Sequence, residues 1–274
     1  MLGLSSSLVR SSFQDSKLIN SYYGRFSSSS SWDTDIDGSV FTGEAGGQNA
    51  GWSVSMWIKP DDGQPTSNQD FFGMYDSGGF SDDFITFTLQ PSGKLFSFCK
   101  FDSSGFDDSW KLSTNAAVFA NGATDWTHVV WTCTLGASGS STVTNAIYVN
   151  KVAQVFTQYG GGVITAAMNN FDCGGELNIG GSNVVGTSTV TNPYEGDMDE
   201  IMFFDGVLQQ THIDDIYDLR SNATGWFNAN ATGWAAPTIH QGYRFEADTS
   251  GITGGNATAS NMVYPSVPTD GYLP

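Results

Sequence analysis

The stretch Trp52-Ser-Val-Ser-Met-Trp-Ile-Lys59 decides the class of fold, because large apolar and small polar residues largely alternate along it. A period of two is typical of a β-strand with one buried face. Pro60-Asp-Asp-Gly63 follows directly, and its turn-forming residues end the strand. The segment therefore predicts a protein built from sheets.

Similar segments recur along the chain, separated by Gly, Ser, Asn and Asp. Residues 84–89 and 94–101 flank Pro91-Ser-Gly93, which is typical of a hairpin. Further strands are predicted at residues 22–26, 126–133, 145–150, 176–180 and 199–204. Many short strands with regular turn signals predict an all-β fold, a two-sheet antiparallel jelly-roll sandwich.

One short helix is predicted after the last of these strands. Thr211 is a suitable N-cap, and Ile213, Ile216 and Tyr217 share one helical face. We expect this face to pack on the β-core.

The ends of the chain differ in composition from its middle. We divide the sequence into an N-terminal arm over residues 1–20, a jelly-roll domain over 21–221 and an extended C-terminal tail over 222–274. The tail is predicted to hold little regular structure besides a strand at 242–246.

The composition excludes several classes of function. The 28 acidic and 10 basic residues give a formal charge of −18, which repels phosphate backbones and anionic lipid, so we expect neither nucleic-acid nor membrane binding. Cys99, Cys133 and Cys173 have no zinc-binding spacing, so we expect free thiols in a chain folded in a reducing cytoplasm. Residues 1–10 have no cationic start and therefore do not resemble a secretory signal peptide.

Five segments follow one another in a recognisable order: residues 52–60, Trp126-Thr-His-Val-Val130, Ile147-Tyr-Val-Asn150, Leu177-Asn-Ile-Gly-Gly181 and Met198-Asp-Glu-Ile201. Their order resembles the laminin G-like, concanavalin A-like jelly roll over roughly residues 20–220. Lys151 departs from the pattern, since the family has Gly there. The resemblance implies a fold shared by lectins, adhesion modules, glycosidase domains and virion proteins, so it leaves the function open.

One motif is a candidate catalytic site. Glu195-Gly-Asp-Met-Asp-Glu200 contains Glu-x-Asp-x-x-Glu and resembles the signature of laminarinase-type glycoside hydrolases. Strand alternation places Glu195 and Glu200 on opposite faces unless a bulge intervenes. The segment also lies next to the last strand, whereas the enzymes carry their motif in mid-domain. A glycosidase using Glu195 and Glu200 is therefore the least favoured alternative, and we expect no enzyme.

Calcium is the candidate cofactor. In the family that the chain resembles, the acidic pair before the last strand helps to bind calcium together with an aspartate of an early loop. Asp199 matches the late position, and Asp33 and Asp35 are the nearest early carboxylates. Carboxylate oxygens suit Ca²⁺. The alternative is that Asp199 bridges loops structurally.

A repeated Gly-Phe-(Ser)-Asp-Asp pattern predicts a ligand surface. Aromatic rings that stack on sugars beside carboxylates are the usual parts of a carbohydrate site. The predicted ligand-binding residues are Phe80, Asp82, Asp83, Phe106, Asp107, Asp108 and Trp110. The alternative is that the phenylalanines are packed inside and the aspartates are solvated.

These features favour a non-enzymatic virion structural or surface protein that could bind host-surface glycans. The opening Met-Leu-Gly-Leu-Ser-Ser-Ser-Leu resembles the N-termini of marine tailed-phage structural proteins. The N-terminal arm and C-terminal tail would dock on other virion subunits, so we expect a homo-oligomer or assembly component located in the virion. The alternative is a free, calcium-assisted lectin.

Overall fold

The computed structural model describes residues 24–28, 31–34, 36, 38, 41, 51–76, 83–103, 106–134, 143–159, 177–183, 190–218, 238–243, 251–253 and 258–260. Within these residues, two antiparallel sheets of eight strands each form a sandwich, accompanied by a two-stranded hairpin. The predicted two-sheet jelly roll is therefore confirmed.

Sheet A contains the segment that opens the sequence analysis. Its strands are β1 (Gly24–Phe26), β3 (Gly51–Pro60), β8 (Thr127–Thr134), β9 (Thr144–Val149), β10 (Val152–Ala153), β15 (Gly196–Asp205), β16 (Thr238–Tyr243) and β17 (Gly251–Thr253). They follow the order β10-β9-β8-β3-β15-β16-β17, and β1 also pairs with β15.

Sheet B forms the other layer. Its strands are β2 (Ser31–Asp33), β4 (Gln69–Tyr75), β5 (Phe84–Leu89), β6 (Leu95–Ser103), β7 (Phe106–Thr114), β11 (Phe156–Tyr159), β12 (Asn178–Ile179) and β18 (Thr258–Ser260). They follow the order β11-β7-β6-β5-β4-β12-β2-β18, while β13 (Ser182–Asn183) and β14 (Val190–Thr191) form the hairpin.

Strand β3 is buried on both faces because different layers cover it. Trp52, Val54 and Met56 belong to the core between the sheets. On the other face, the Ser53 hydroxyl donates to the carbonyl of Gly206 at 2.9 Å and accepts from the N–H of Leu208 at 2.9 Å. The small polar residues of the alternating pattern thus anchor the loop that follows β15.

The core is dominated by aromatic rings that contact each other edge to face. The rings of Trp52 and Trp131 lie 4.5 Å apart at 80°, and those of Phe72 and Phe203 lie 5.6 Å apart at 75°. Such pairs contribute about 0.5–1.5 kcal/mol each beyond their area burial. Cys99 and Cys133 are buried free thiols, as predicted, and Cys173 lies outside the described residues.

Helix α1 (Gln210–Asp218) covers the outer face of sheet A. Its Ile213 and Ile216 pack with Val130, Met202 and Phe204 of the sheet in a second apolar cluster. The predicted packing face is therefore confirmed. The predicted N-cap is wrong, since Thr211 lies inside the first turn and the helix begins at Gln210. The helix does not approach the length and hydropathy that a membrane span needs, and neither does any other helical segment among the described residues.

The C-terminal tail contributes strands to both sheets. Strand β16 pairs with β15, β17 continues sheet A, and β18 pairs with β2 at the end of sheet B. The strand predicted at residues 242–246 occurs at 238–243. The sandwich therefore extends past the predicted boundary at residue 221, because the tail supplies edge partners that local sequence patterns do not reveal.

Candidate carbohydrate-binding face

The outer face of sheet B carries exposed and half-buried aromatic residues. In β6, Leu95, Ser97 and Cys99 point into the core, where each is fully buried. Alternation along the strand therefore sends Phe96 and Phe98 to the opposite side, and both rings are half-buried there. We call Phe96, Phe98, Lys111, Thr157 and Tyr159 the aromatic face.

Strand register aligns three members of this face in one row. Phe98 pairs with Lys111 of β7, and Lys111 pairs with Tyr159 of β11. The Lys111 ammonium lies 4.2 Å from the centroid of the Phe98 ring, within the range of a cation–π interaction. Tyr159 is 53% exposed at the end of the row. The row therefore combines an aromatic surface with a cation and a phenol.

A second, parallel row leads from a buried carboxylate to the open face. It runs from Asp70 through Thr88, Phe96 and Ser113 to Thr157. Thr157 is exposed and donates to the Asn115 side-chain oxygen at 2.6 Å. The row is therefore buried at its β4 end and exposed at its β11 end, and the accessible part of the face lies on β6, β7 and β11.

Asp70 holds the β13–β14 hairpin against β4. The Thr88 hydroxyl donates to one carboxylate oxygen at 2.6 Å, while the Ser182 hydroxyl and the Asn192 amide donate to the other. Asp70 is 1% exposed, and this burial raises its pKa from 3.8 to about 6, although the three hydrogen bonds oppose the rise. The carboxylate therefore titrates near neutral pH under the hairpin.

The first predicted ligand segment lies largely outside the described residues. Phe80 and Asp82 belong to that undescribed part. Asp83 directly precedes β5 and is only 6% exposed, and its carbonyl accepts from the N–H of Asp76 at 3.0 Å. Asp83 is therefore held within the fold rather than displayed on the surface.

The second predicted segment is a strand and not a loop. Phe106, Asp107 and Asp108 begin β7, and their side chains lie outside the described part of the structure. Trp110 is fully buried in the core. Its assignment as a ligand-binding residue is wrong, because strand alternation turns Trp110 inward and Lys111 outward.

The two described candidate calcium ligands lie in different sheets. Asp33 is the last residue of β2 in sheet B and follows the core residue Trp32, so it faces away from the sandwich interior. Asp199 alternates with the core residue Met198 in sheet A, and its carboxylate accepts from the N–H of Glu200 at 2.8 Å. The two residues do not fit a common ion, and Asp35 lies outside the described residues.

The described residues contain no group of three or more His, Cys, Asp or Glu side chains arranged to hold a metal ion. Burial raises the pKa of Asp33, which shows that its carboxyl group is partly desolvated without a compensating cation among these residues. Calcium therefore remains a prediction that depends on undescribed loops.

The Glu-x-Asp-x-x-Glu motif does contain a bulge, at the shift between Asp199 and Met202 opposite β3. Glu200 adopts a φ of +47° there and is only 4% exposed. Asp197 is 3% exposed and accepts from Arg25 at 3.0 Å. Glu195 alone is exposed, so this geometry offers a polysaccharide no accessible pair of carboxylates.

Phe96, Phe98 and Lys111 are absent from the residues predicted from sequence. The pattern Lys94-Leu-Phe-Ser-Phe-Cys-Lys100 contains the signal that could have found the two phenylalanines. Lysines at both ends share the alternation phase of Phe96 and Phe98, which marks that phase as the outward one. Aromatic residues normally indicate the buried phase, and that preference conceals the face.

The family model described as Concanavalin A-like lectin/glucanases superfamily, of the laminin G type, matches residues 33–214. The chain belongs to this superfamily. The match spans both sheets from β2 to α1, and the resemblance expected from the sequence is thereby confirmed for the family. No curated protein matches the sequence.

Solved structures that are similar to this chain come from several organisms. A candidate carbohydrate-binding protein from Bacteroides ovatus is 14% identical with a TM-score of 0.53, and the match covers 90% of this chain and 60% of that one. The CBM40 of a Ruminococcus gnavus IT-sialidase is 11% identical with a TM-score of 0.43, covering 62% and 82% of the respective chains. A heptameric SAP-like pentraxin from Limulus polyphemus is 13% identical with a TM-score of 0.46, covering 88% and 95%.

The identity with the Bacteroides ovatus protein is low, so this match shows a shared fold alone. This chain spans about 60% of the length of the Bacteroides ovatus protein. The match therefore does not show what this chain binds.

Proposed function

We propose that this superfamily member is a non-enzymatic carbohydrate-binding module at the surface of a viral particle, and that the aromatic face of sheet B is its sugar-binding surface. The observation that carries the glycan part is the row Phe98, Lys111 and Tyr159 across three strands. It places an aromatic ring, a cation and a phenol side by side on an open sheet. The candidate carbohydrate-binding protein of the same fold supports this choice of ligand class.

The chemistry of the face suits a pyranose ring. The half-buried rings of Phe96 and Phe98 supply apolar surface for the C–H groups of a sugar, and their burial fixes their orientation. The hydroxyls of Thr157 and Tyr159 can donate or accept at its margin. Lys111 forms no ion pair with any described residue, so its ammonium can donate to a sugar hydroxyl or carboxylate.

The non-enzymatic part of the proposal draws support from the burial of the β15 carboxylates. Asp197, Asp199 and Glu200 are at most 4% exposed, and Asp197 already accepts from Arg25 and lies 3.7 Å from Lys59. General acid–base catalysis requires a group within hydrogen-bond reach of the substrate. Buried carboxylates of this kind stabilise the sheet instead.

The virion part rests on charge and on the tail. A net charge of −18 limits self-association between crowded copies. The tail strands β16 and β18 bind the two sheets of their own domain, so we assign docking on neighbouring subunits to the rest of the arm and tail. Mass spectrometry of purified particles tests this part, and absence of the protein from particles would refute it.

A glycan array with the wild-type protein, in calcium and in EDTA, tests the glycan part. For any glycan bound, Lys111→Ala should weaken binding about tenfold or more, since a charge-assisted hydrogen bond contributes about 1.5–3 kcal/mol. Phe98→Leu should also weaken binding, because it removes an aromatic ring from the surface. Lys151→Ala is the matched control, because Lys151 lies between β9 and β10 of sheet A, where its ammonium is 4.9 Å from the centroid of the Tyr217 ring of α1. A blank array, or equal losses from Lys111→Ala and Lys151→Ala, would refute the assignment.

A further inference from the structure

Large exposed apolar residues cluster on one side of the sandwich. Among the described residues they are Val152, Val155 and Tyr159, which are 64%, 73% and 53% exposed. They lie within eight consecutive positions, on β10, on β11 and on the turn between them. Monomeric proteins seldom concentrate such residues without a partner.

Both sheets end at this side. Strand β10 is the last strand of sheet A, and among the described residues β11 pairs with β7 alone. An edge strand presents unpaired N–H and C=O groups, and proteins usually protect such edges with Lys, Pro or a bulge. The segment Val155-Phe-Thr-Gln-Tyr159 contains no proline and no charged residue. The β11 edge is therefore open to pairing.

We propose that β11 pairs antiparallel with β11 of a second copy of this chain, about a two-fold axis at Thr157. An axis perpendicular to the sheet keeps the core faces of both copies on the same side. Each residue must then pair with a residue whose side chain lies on the same face of the sheet. With the axis at Thr157, Val155 of each copy then lies opposite Tyr159 of the other. The two exposed large apolar residues of this segment thus cover each other.

Register across β7 extends the argument to charge. Tyr159 pairs with Lys111, and the N–H of Asn115 donates to the carbonyl of Val155 at 2.8 Å. In the dimer, Lys111 and Tyr159 of one copy therefore continue into Val155 and Asn115 of the other copy. None of these four residues is a carboxylate. A chain with a net charge of −18 can bring two copies together only where carboxylates do not oppose each other. These four residues meet that condition, so a second copy is the favoured occupant. The inference does not depend on sugar binding.

Sedimentation velocity of the full chain between about 1 and 100 µM tests the proposal. The wild type should show a concentration-dependent dimer, and Tyr159→Glu should weaken dimerisation at least tenfold. The double variant Val155→Lys with Tyr159→Glu should restore the dimer, because each introduced lysine would then face an introduced glutamate across the axis. Val152→Asp is the matched control, since Val152 is 64% exposed, against 53% for Tyr159, but belongs to sheet A.

Each of these measurements can refute the proposed pairing. A monomeric wild type at 100 µM overturns the proposal, as does a Tyr159→Glu variant that dimerises like the wild type. Tyr159 is half-exposed, so the variant should keep the wild-type melting temperature. If the variant melts at a lower temperature, amide hydrogen exchange of residues 155–159 in the wild type is measured instead. The proposal then requires their protection from exchange to rise with protein concentration. Concentration-independent exchange would refute the pairing.

Discussion

Replacing Asp70 by asparagine should change how the free energy of unfolding depends on pH. The carboxylate is 1% exposed and accepts from Thr88, Ser182 and Asn192. Burial raises its pKa to about 6, so the folded chain binds a proton more tightly than the unfolded chain does. The stabilisation from that proton is complete below the unfolded pKa of 3.8 and is lost as the pH rises through about 6.

The magnitude follows from the two pKa values. The difference between 3.8 and about 6 corresponds to about 3 kcal/mol at the acid limit, since a tenfold change in proton affinity is about 1.4 kcal/mol. Part of this is already lost at pH 5. Between pH 5 and pH 8 the free energy of unfolding of the wild type should fall by about 1.4 kcal/mol through this group. Asp70→Asn should show no such fall, because asparagine does not titrate. The variant also loses an acceptor for Asn192 or Ser182, which costs about 1–3 kcal/mol at every pH.

Urea unfolding of both proteins at pH 5, 6, 7 and 8 isolates this contribution, since the difference between them cancels all other titrations. We expect the stability advantage of the wild type to shrink by about 1.4 kcal/mol over the series. Asp62→Asn is the control. Hydrogen bonds from the N–H groups of Gln64 and Gly122 lower the pKa of Asp62, so its effect should be constant over this range. A constant wild-type advantage over Asp70→Asn would refute the reasoning.

Three further substitutions test other parts of the fold by urea unfolding. Arg25→Met removes the exposed partner of buried Asp197 and should cost about 1 kcal/mol, and no loss would show that Lys59 suffices. Trp110→Ala should cost about 3–5 kcal/mol, whereas a loss below about 1 kcal/mol would contradict its burial in the core. Gly180→Ala should cost more than about 1 kcal/mol, because φ is +79° and a Cβ would meet the Phe26 ring; wild-type stability would contradict this backbone.

The sheet strands were predictable where the alternation was local. The hairpin of β5 and β6 around residues 91–93 and the central strand β3 occur almost at their predicted positions. The C-terminal strands were not, since β16–β18 are specified by the edges of β15 and β2 far away in the sequence. Strands β17 and β18 are three residues each, which is too short to show an alternation pattern, so pairing with distant strands forms them.

The candidate site was harder to predict, because its residue types have two readings. A tryptophan after two aspartates indicates a ligand loop, yet Trp110 follows strand alternation into the core. Phe96 and Phe98 indicate a buried face, yet Leu95, Ser97 and Cys99 occupy that face instead. Which phase of a strand is buried depends on the opposite sheet, and a single sequence does not contain that information.

The two sides of the sandwich differ in a way that bears on assembly. On one side the tail adds β17 and β18, which are three residues each and are composed mainly of Gly, Thr, Ala and Ser. Very short edge strands of small residues resist pairing. On the other side β11 presents Val155 and Tyr159. If both sides could pair, copies would add without limit into a filament. With one competent edge, a two-fold contact uses that edge in both copies and closes the assembly at a dimer.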